Sequence, residues 1–148
     1  IALFNERDGL LISGDMLLPK ISTNVSVLDL EPEADALGLF LASLDRMRAL
    51  PDDTLALPSH GLPFTGIHTR IQQLHDHHAE RLDEVLAACT EKPSSAAEML
   101  PVLFKRQLDL HQTTFAMGES VGRLNHLWHQ GALKREMDGE GVWRFSPG

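Results

Sequence analysis

The first 30 residues alternate between short apolar segments and turn-forming residues. Residues 1–5 and 9–13 are apolar enough for strands, and the Asp8-Gly9 pair between them is a strong hairpin-turn signal. The pattern therefore predicts two antiparallel strands. Residues 16–30 follow without a helical period and are predicted to form a long loop, and loops of this length often carry function.

From residue 31 to residue 91, two helical patterns flank one short strand. Pro32 and its acidic neighbours predict a helix that begins at Glu31 and ends before Pro51. Residues 54–57 have the character of a buried strand. A second long helix is indicated by an apolar stripe that consists of Ile71, Leu74, His78, Leu82 and Val85. This alternation is typical of α/β or α+β domains.

The residues after 93 predict helices followed by a hairpin. Ser95 and Glu98 form a capping box that opens a helix, which Pro101 should kink or restart and which remains helical in composition to about Leu110.

Another helix is predicted over residues 119–130, with Gly131 as its C-terminal stop. Residues 132–137 and 142–145 then flank a turn-rich tetrad and are predicted to pair as strands, with Trp143 packed on the helices. Helices followed by a short hairpin indicate a winged helix.

Composition adds a cellular context and a division of the chain. A hydrophobic content of 43% in 148 residues suffices for a buried core. No apolar run approaches the roughly 20 residues of a membrane span, and the start lacks a signal peptide, so a cytoplasmic protein without a membrane partner is expected. The chain begins in a strand-like segment at Ile1 without a methionine, and we interpret it as a fragment.

The charge distribution predicts two domains, residues 1–91 and 92–148. The first holds six Lys or Arg and fifteen Asp or Glu, whereas the second holds seven and six. A net charge of +1 is too small for extensive phosphate contacts, so nucleic-acid binding by residues 119–130 is the weaker alternative. The favoured role of the second domain is to pack over the edge of a site in the first domain, or to form a dimer contact.

Asp15 and His60 are the residues with the clearest potential for chemistry. Each follows a predicted strand directly, and Asp and His are good ligands for a cation such as Zn²⁺. Taken alone the two turns are weak signals, because Asp and His in turns usually act as caps, and catalytic zinc usually takes three protein ligands.

Four further residues are candidates for substrate binding. Lys20, Ser22 and Asn24 lie in the loop after Asp15 and could meet an anionic or polar substrate, although a solvated loop is an equal alternative. His68 follows His60 closely and could approach a substrate as well.

The remaining titratable residues are interpreted as structural. Cys89 lies in a helical pattern typical of a small buried thiol, and no chemical role is assigned to it. His75 and His78 share a helix face, and together with His77 they are expected to be hydrogen-bonded at packing contacts. Arg70 is expected to pair with a local acid.

Two longer runs carry a resemblance to a known family. FNERDGLLISGDMLLPKISTNVSV and PSHGLPFTGIHTRIQQLHDHHAERLDEVL, with the terminal helices and hairpin, resemble the C-terminal part of the metallo-β-lactamase superfamily, in the branch that ends in a winged helix. The resemblance covers essentially the whole chain. It implies an α+β fold in which residues 1–91 form the C-terminal half of an αββα sandwich and residues 92–148 form a small winged-helix domain.

The same resemblance implies residue roles. In the family, an Asp after a Gly bridges two metal ions, and a later Pro-x-His-Gly supplies the last histidine ligand; these match Asp15 and His60. Two Zn²⁺ ions, or Fe or Mn, would generate a metal-bound hydroxide that attacks an ester, thioester or phosphodiester in a small-molecule substrate. A nucleic-acid-associated winged-helix module or a ribonuclease of the same fold is the alternative.

The family's His-x-His-x-Asp-His motif does not occur in the chain and would precede Ile1. The fragment alone is therefore expected to bind metal weakly or not at all and to be inactive. Its apolar strand residues would also lack the cover of a second sheet, so a homo-oligomer is expected. The uncovered residues would be Leu3, Phe4, Leu10, Ile12, Leu55 and Leu57.

Overall fold

The fold, seen in a computed structural model that describes all of residues 1–148, combines four helices with two small sheets. This confirms the predicted α+β class. Contacts divide the chain into two units, Ile1–Thr23 with Leu39–His78 and Asn24–Gly38 with Ala79–Gly148. The boundary predicted between residues 91 and 92 falls inside the second unit. That two family domains meet at this boundary stays a prediction.

The first unit contains a three-stranded sheet in the order β1-β2-β3. Strands β1 (Leu3–Asn5) and β2 (Leu10–Gly14) form the predicted antiparallel hairpin, in which Gly9 has a φ of +63° that favours glycine. Strand β3 (Leu55–Pro58) runs parallel to β2. Parallel pairing places the carboxyl ends of β2 and β3 at the same edge of the sheet.

The two faces of this sheet differ in exposure. Leu11 and Ala56 are fully buried on one face. On the other face, Leu3 is 62% and Ile12 54% exposed, and they are direct cross-strand partners. Phe4 pairs with Leu11 and therefore lies on the same face as Leu11. The sequence pattern had instead grouped it with the exposed residues Leu3 and Ile12.

Helix α1 spans Ala36–Met47, and the prediction that it begins at Glu31 is wrong. The Glu31 N–H instead donates to the carbonyl of Leu28 at 3.1 Å, which closes a turn. The Asp35 carboxylate accepts a hydrogen bond of 2.8 Å from the Gly38 N–H and so caps the first turn of the helix. The predicted end before Pro51 is confirmed.

Helix α2 (Ile67–Glu91) is the predicted second long helix, and its stripe residues Ile71, Leu74, His78 and Val85 are buried. Helix α3 (Ala96–Leu103) opens with the predicted capping box of Ser95 and Glu98. Its expected extension to Leu110 is wrong, because the helix ends two residues after Pro101.

Helix α4 (Leu110–His129) begins at a second capping box, which is formed by Asp109 and Gln112 and was not predicted from the sequence. None of the four helices combines the length and apolar character needed to cross a membrane. Strands β4 (Leu133–Met137) and β5 (Trp143–Pro147) form the predicted terminal hairpin.

The second unit has one apolar core, to which α2, α3, α4 and the hairpin all contribute. Its buried members are Val85, Cys89, Met99, Leu103, Leu124, Leu127, Leu133 and Phe145. The prediction that Cys89 is buried is confirmed, and burial raises the pKa of its thiol to about 11.

Trp143 does not enter this core and is 41% exposed. Trp143 and Phe145 lie two residues apart on the same face of β5, and of the two only Phe145 belongs to the core. The guanidinium of Arg135 lies 3.7 Å from the ring centroid of Trp128 and 4.5 Å from that of Trp143. Trp143 thus lies outside the core, and its expected packing on the helices stays a prediction.

Candidate functional site

Asp15 and His60 lie together at the edge where β2 and β3 end. Asp15 follows Gly14, the last residue of β2, and His60 lies two residues after Pro58, the last residue of β3. Because the two strands are parallel neighbours, both side chains reach the same edge. The His60 Nε2 atom is 3.5 Å from the Asp15 Oδ1 atom.

Ser59 joins the two strand ends, a role that was not predicted from the sequence. Its N–H donates to the Gly14 carbonyl at 3.1 Å, which continues the pairing of the strands. Its hydroxyl donates to Asp15 Oδ1 and so holds the carboxylate beside His60. The position of Ser59 directly before the candidate histidine was the signal available in the sequence.

The donor set is suited to a metal ion but is incomplete. Carboxylate oxygen and imidazole nitrogen are common Zn²⁺ ligands, and both side chains are open to solvent, with Asp15 59% and His60 68% exposed. The chain contains no group of three or more His, Cys, Asp or Glu that could hold a metal ion. Since catalytic zinc usually takes three protein ligands, Asp15 and His60 fit only a part of such a site.

Of the four predicted substrate-binding residues, Lys20 alone lines a cavity with His60. This cavity has a volume of about 390 Å³. The Ser22 hydroxyl lies instead within hydrogen-bond distance of His78 Nε2, at 3.1 Å. The Asn24 amide donates to Glu119 Oε1 at 2.7 Å within the second unit.

His68 is also engaged away from His60. Its Nε2–H donates to the Leu50 carbonyl, and its backbone N–H donates to Asp52 Oδ1, each at 2.8 Å. These bonds attach the start of α2 to the loop before β3. Substrate roles for Ser22, Asn24 and His68 remain predictions.

Arg70 has a role that differs from the predicted pairing with an acid. Its guanidinium donates to the backbone carbonyls of Leu18 at 2.7 Å and Ile21 at 3.0 Å. Burial lowers the pKa of Arg70 from its usual value. Arg70 therefore fixes the loop that follows Asp15, and no local sequence pattern indicated this.

His75 and His78 make the packing contacts that were expected. His75 Nε2 lies 2.9 Å from Asp45 Oδ1. His78 is only 2% exposed and packs edge-on against the ring of Phe40, with 5.6 Å between centroids.

Comparison with known proteins finds similar proteins for this chain. Residues 82–148 match the model of the metallo-β-lactamase-like C-terminal domain. The probable metallo-hydrolase YqjP of Bacillus subtilis is 29% identical over 151 residues, an alignment that covers 97% of this chain and 45% of YqjP.

Two solved structures resemble the whole chain. A β-lactamase domain protein from Burkholderia ambifaria is 57% identical, with a TM-score of 0.96 over 99% of this chain and 44% of its own. The metallo-β-lactamase family protein TTHA1429 from Thermus thermophilus is 33% identical, with a TM-score of 0.83 and the same two coverages.

The chain is similar to the C-terminal part of proteins of the metallo-β-lactamase superfamily. It spans a little under half the length of these relatives.

Proposed function

We propose that this chain forms part of a metal-dependent hydrolase and supplies two of its metal ligands, Asp15 and His60. The observation that carries the proposal is the 3.5 Å approach of His60 Nε2 to Asp15 Oδ1 at the ends of two parallel strands. The relationship to the probable metallo-hydrolase YqjP supports the same activity class.

In this proposal Asp15 and His60 would both be ligands of bound Zn²⁺, with Fe or Mn as alternatives. The ions would supply a water nucleophile that is activated near neutral pH and acts on an ester, thioester or phosphodiester. Ser59 would orient the Asp15 carboxylate through its hydroxyl. The remaining ligands would come from residues outside this sequence, so the chain alone would bind metal weakly and be inactive.

Titration of the 15N-labelled chain with Mn²⁺ tests the ligand assignment. Paramagnetic broadening is expected first at the resonances of residues 15 and 60, because Mn²⁺ broadens nuclei near its binding site. Asp15→Asn and His60→Ala should each abolish this preference. His111→Ala is the control, since His111 is exposed on α4 in the other unit. Broadening centred elsewhere would contradict the assignment.

A second experiment tests catalysis in a longer protein that contains these residues. Metal analysis and a screen of ester, thioester, lactone and RNA substrates should reveal metal-dependent hydrolysis that Asp15→Asn and His60→Ala remove. Hydrolysis that survives both substitutions and chelation would refute the proposed activity.

We infer that α3, α4 and the terminal hairpin form a winged-helix-like module with a structural rather than a nucleic-acid-binding role. Four of the seven Lys and Arg side chains after residue 91 pair with acids, which leaves few cations for phosphates. The paired cations are Lys92, Arg123, Arg135 and Arg144. Titration with duplex and single-stranded oligonucleotides at low salt tests this, and salt-sensitive binding tighter than about micromolar would overturn it.

We also propose that the exposed sheet face is covered by self-association when the chain is alone. Leu3 and Ile12 are adjacent there and largely exposed, and burial of such side chains stabilises a complex by about 25 cal/mol per Å². Light scattering should detect a dimer that Ile12→Lys dissociates. Leu39→Lys is the control, because Leu39 is 70% exposed on a helix. A monomer at all concentrations would refute the proposal.

A further inference from the structure

The chain between β2 and α1, residues 15–35, contains no helix or strand. Stretches of this length without secondary structure are uncommon in compact domains, and the ordered ones are usually functional. Their backbone N–H and C=O groups have no regular ladder to pair with, so the partners must come from other elements. For the later part of this stretch, called segment 24–34 below, several of these partners lie on α4.

Two glycines allow segment 24–34 to lie directly against α4. Gly118 and Gly122 are buried and one turn apart in the interior of the helix, where glycine is less favourable than alanine. A Cβ atom at Gly118 would lie 2.6 Å from the Cβ atom of Ser26, and one at Gly122 would lie 3.0 Å from the carbonyl oxygen of Val25. The close approach of the two backbones therefore explains why glycine occupies both positions.

Hydrogen bonds join the segment to the helix at this approach. The Val27 N–H donates to the Gly118 carbonyl at 3.1 Å, and the Val27 side chain is buried. The Asn24 side-chain amide donates to Glu119 Oε1 at 2.7 Å. The segment is thus fixed to α4 by its own backbone as well as by a side chain.

A second attachment lies further along the same helix. Asn125 is fully buried, and its Nδ2 group donates to the carbonyls of Pro32 at 2.9 Å and Ala34 at 3.1 Å, which uses both of its hydrogens. One turn later, His129 Nε2 lies 2.7 Å from the Glu33 carbonyl oxygen. Side chains of α4 therefore bind three successive carbonyls of the segment.

We propose that α4 positions the segment that follows Asp15 in the chain, with Gly118 and Asn125 as positioning residues. The inference rests on the proposed function, because the segment borders a hydrolytic site only if Asp15 is a metal ligand. A segment that must be ordered when a substrate binds costs conformational entropy, and attachment to α4 removes that cost in advance. This gives the terminal helices a role in substrate binding without any contact of their own to the reacting atoms.

Amide hydrogen exchange of the 15N-labelled chain tests the close approach through the sign of one effect. Alanine normally stabilises a helix interior relative to glycine. At Gly118 the added methyl group would meet Ser26, so Gly118→Ala should instead speed exchange of the Val27 amide roughly tenfold. Ser26→Gly removes the opposing atoms, and in that background Gly118→Ala should no longer speed exchange.

A second variant tests the attachment at Asn125. The Ala34 N–H donates to the Glu31 carbonyl within the segment, so its exchange reports local opening. Asn125→Ala should speed exchange of this amide roughly tenfold, because two carbonyls lose their donor. Ser120→Ala is the matched control on the same helix, since it removes a buried hydroxyl that has no hydrogen-bond partner, and it should change neither amide.

Steady-state kinetics of the longer protein that contains these residues separate positioning from stability. Gly118→Ala should raise KM severalfold and retain kcat and metal content, because a displaced segment weakens substrate binding without moving the metal ligands. Leu133→Val is the control, because it removes one methylene from the buried core of the second unit and does not touch the segment. This control should lower stability and leave KM unchanged.

Two groups of results would overturn the proposal. Slower or unchanged Val27 exchange in Gly118→Ala, or the same acceleration in the Ser26→Gly background, would refute the close approach. An unchanged KM in Gly118→Ala, or an equal rise in Leu133→Val, would refute the positioning role. Absence of metal-dependent hydrolysis in the longer protein would instead refute the proposed function, and the exchange rates alone would then decide whether α4 holds the segment.

Discussion

Substitution of Gly61 by alanine tests whether the loop that presents His60 depends on a close contact with Pro19. Gly61 has a φ of +87°, and a Cβ atom there would lie 2.6 Å from Pro19 Cγ, far inside normal contact distance. The left-handed backbone alone costs about 1–2 kcal/mol for an L-residue. Overpacking adds about 1–3 kcal/mol. Gly61→Ala should therefore destabilise the chain by about 2–5 kcal/mol.

Gly66 provides a matched control for the backbone contribution. Its φ is +80°, but no atom lies within 4 Å of the position that a Cβ would take. Gly66→Ala should therefore lower the free energy of unfolding by only about 1–2 kcal/mol. The difference between the two variants measures the contact with Pro19.

Urea denaturation followed by circular dichroism gives both free energies, and a double-mutant cycle isolates the contact. Pro19→Ala removes the Cγ atom, so Gly61→Ala should cost less in that background than in the original chain, by about 1–3 kcal/mol. Equal losses for Gly61→Ala and Gly66→Ala, or strict additivity with Pro19→Ala, would refute the close contact. The same variant should shift the NMR resonances of His60, because the displaced loop presents it.

Three further predictions concern other parts of the chain. Hydrogen bonds from Ser95 lower the pKa of Glu98 from 4.5 to about 2, so the stability contributed by the capping carboxylate is complete above pH 4.5 and is lost as the pH falls towards 2. Glu98→Gln should therefore flatten the acid dependence of urea denaturation in that window, and an unchanged slope would contradict this. Leu124→Ala should cost about 2–5 kcal/mol because the side chain is fully buried, whereas Leu110→Ala, 87% exposed, should change stability by less than about 0.5 kcal/mol. Ser59→Ala should weaken Mn²⁺ binding at Asp15 about tenfold, and Ser59→Thr, which keeps the hydroxyl, should retain it.

Local signals predicted the elements that depend on local hydrogen bonds. The Asp8-Gly9 turn and the Ser95 capping box both involve groups within a few residues of each other, and both predictions are confirmed. The start of α1 was wrong because several acids precede it, and only the folded backbone determines that Asp35 is the one that caps. The Asp109 box was readable by the same rule and was overlooked.

The candidate site divides in a similar way. Asp15 and His60 could be predicted because each ends a strand, and parallel pairing then brings them together. Ser22 and Asn24 have the same loop context as Lys20, but their partners lie 56 and 95 residues away in sequence. No pattern within the loop distinguishes the one residue that lines the cavity from the two that are engaged elsewhere.

These contacts give the first half of α2 a structural role, because they hold the loop after Asp15 in place. Arg70 binds two carbonyls of the loop after Asp15, and His78 contacts Ser22 in the same loop. The helix therefore determines where Lys20 and Ile21 lie relative to His60, although it contributes no residue to the cavity. If the proposed function holds, substitutions at Arg70 should alter the preference among substrates more than the metal affinity, since the metal ligands depend on β2 and β3 instead.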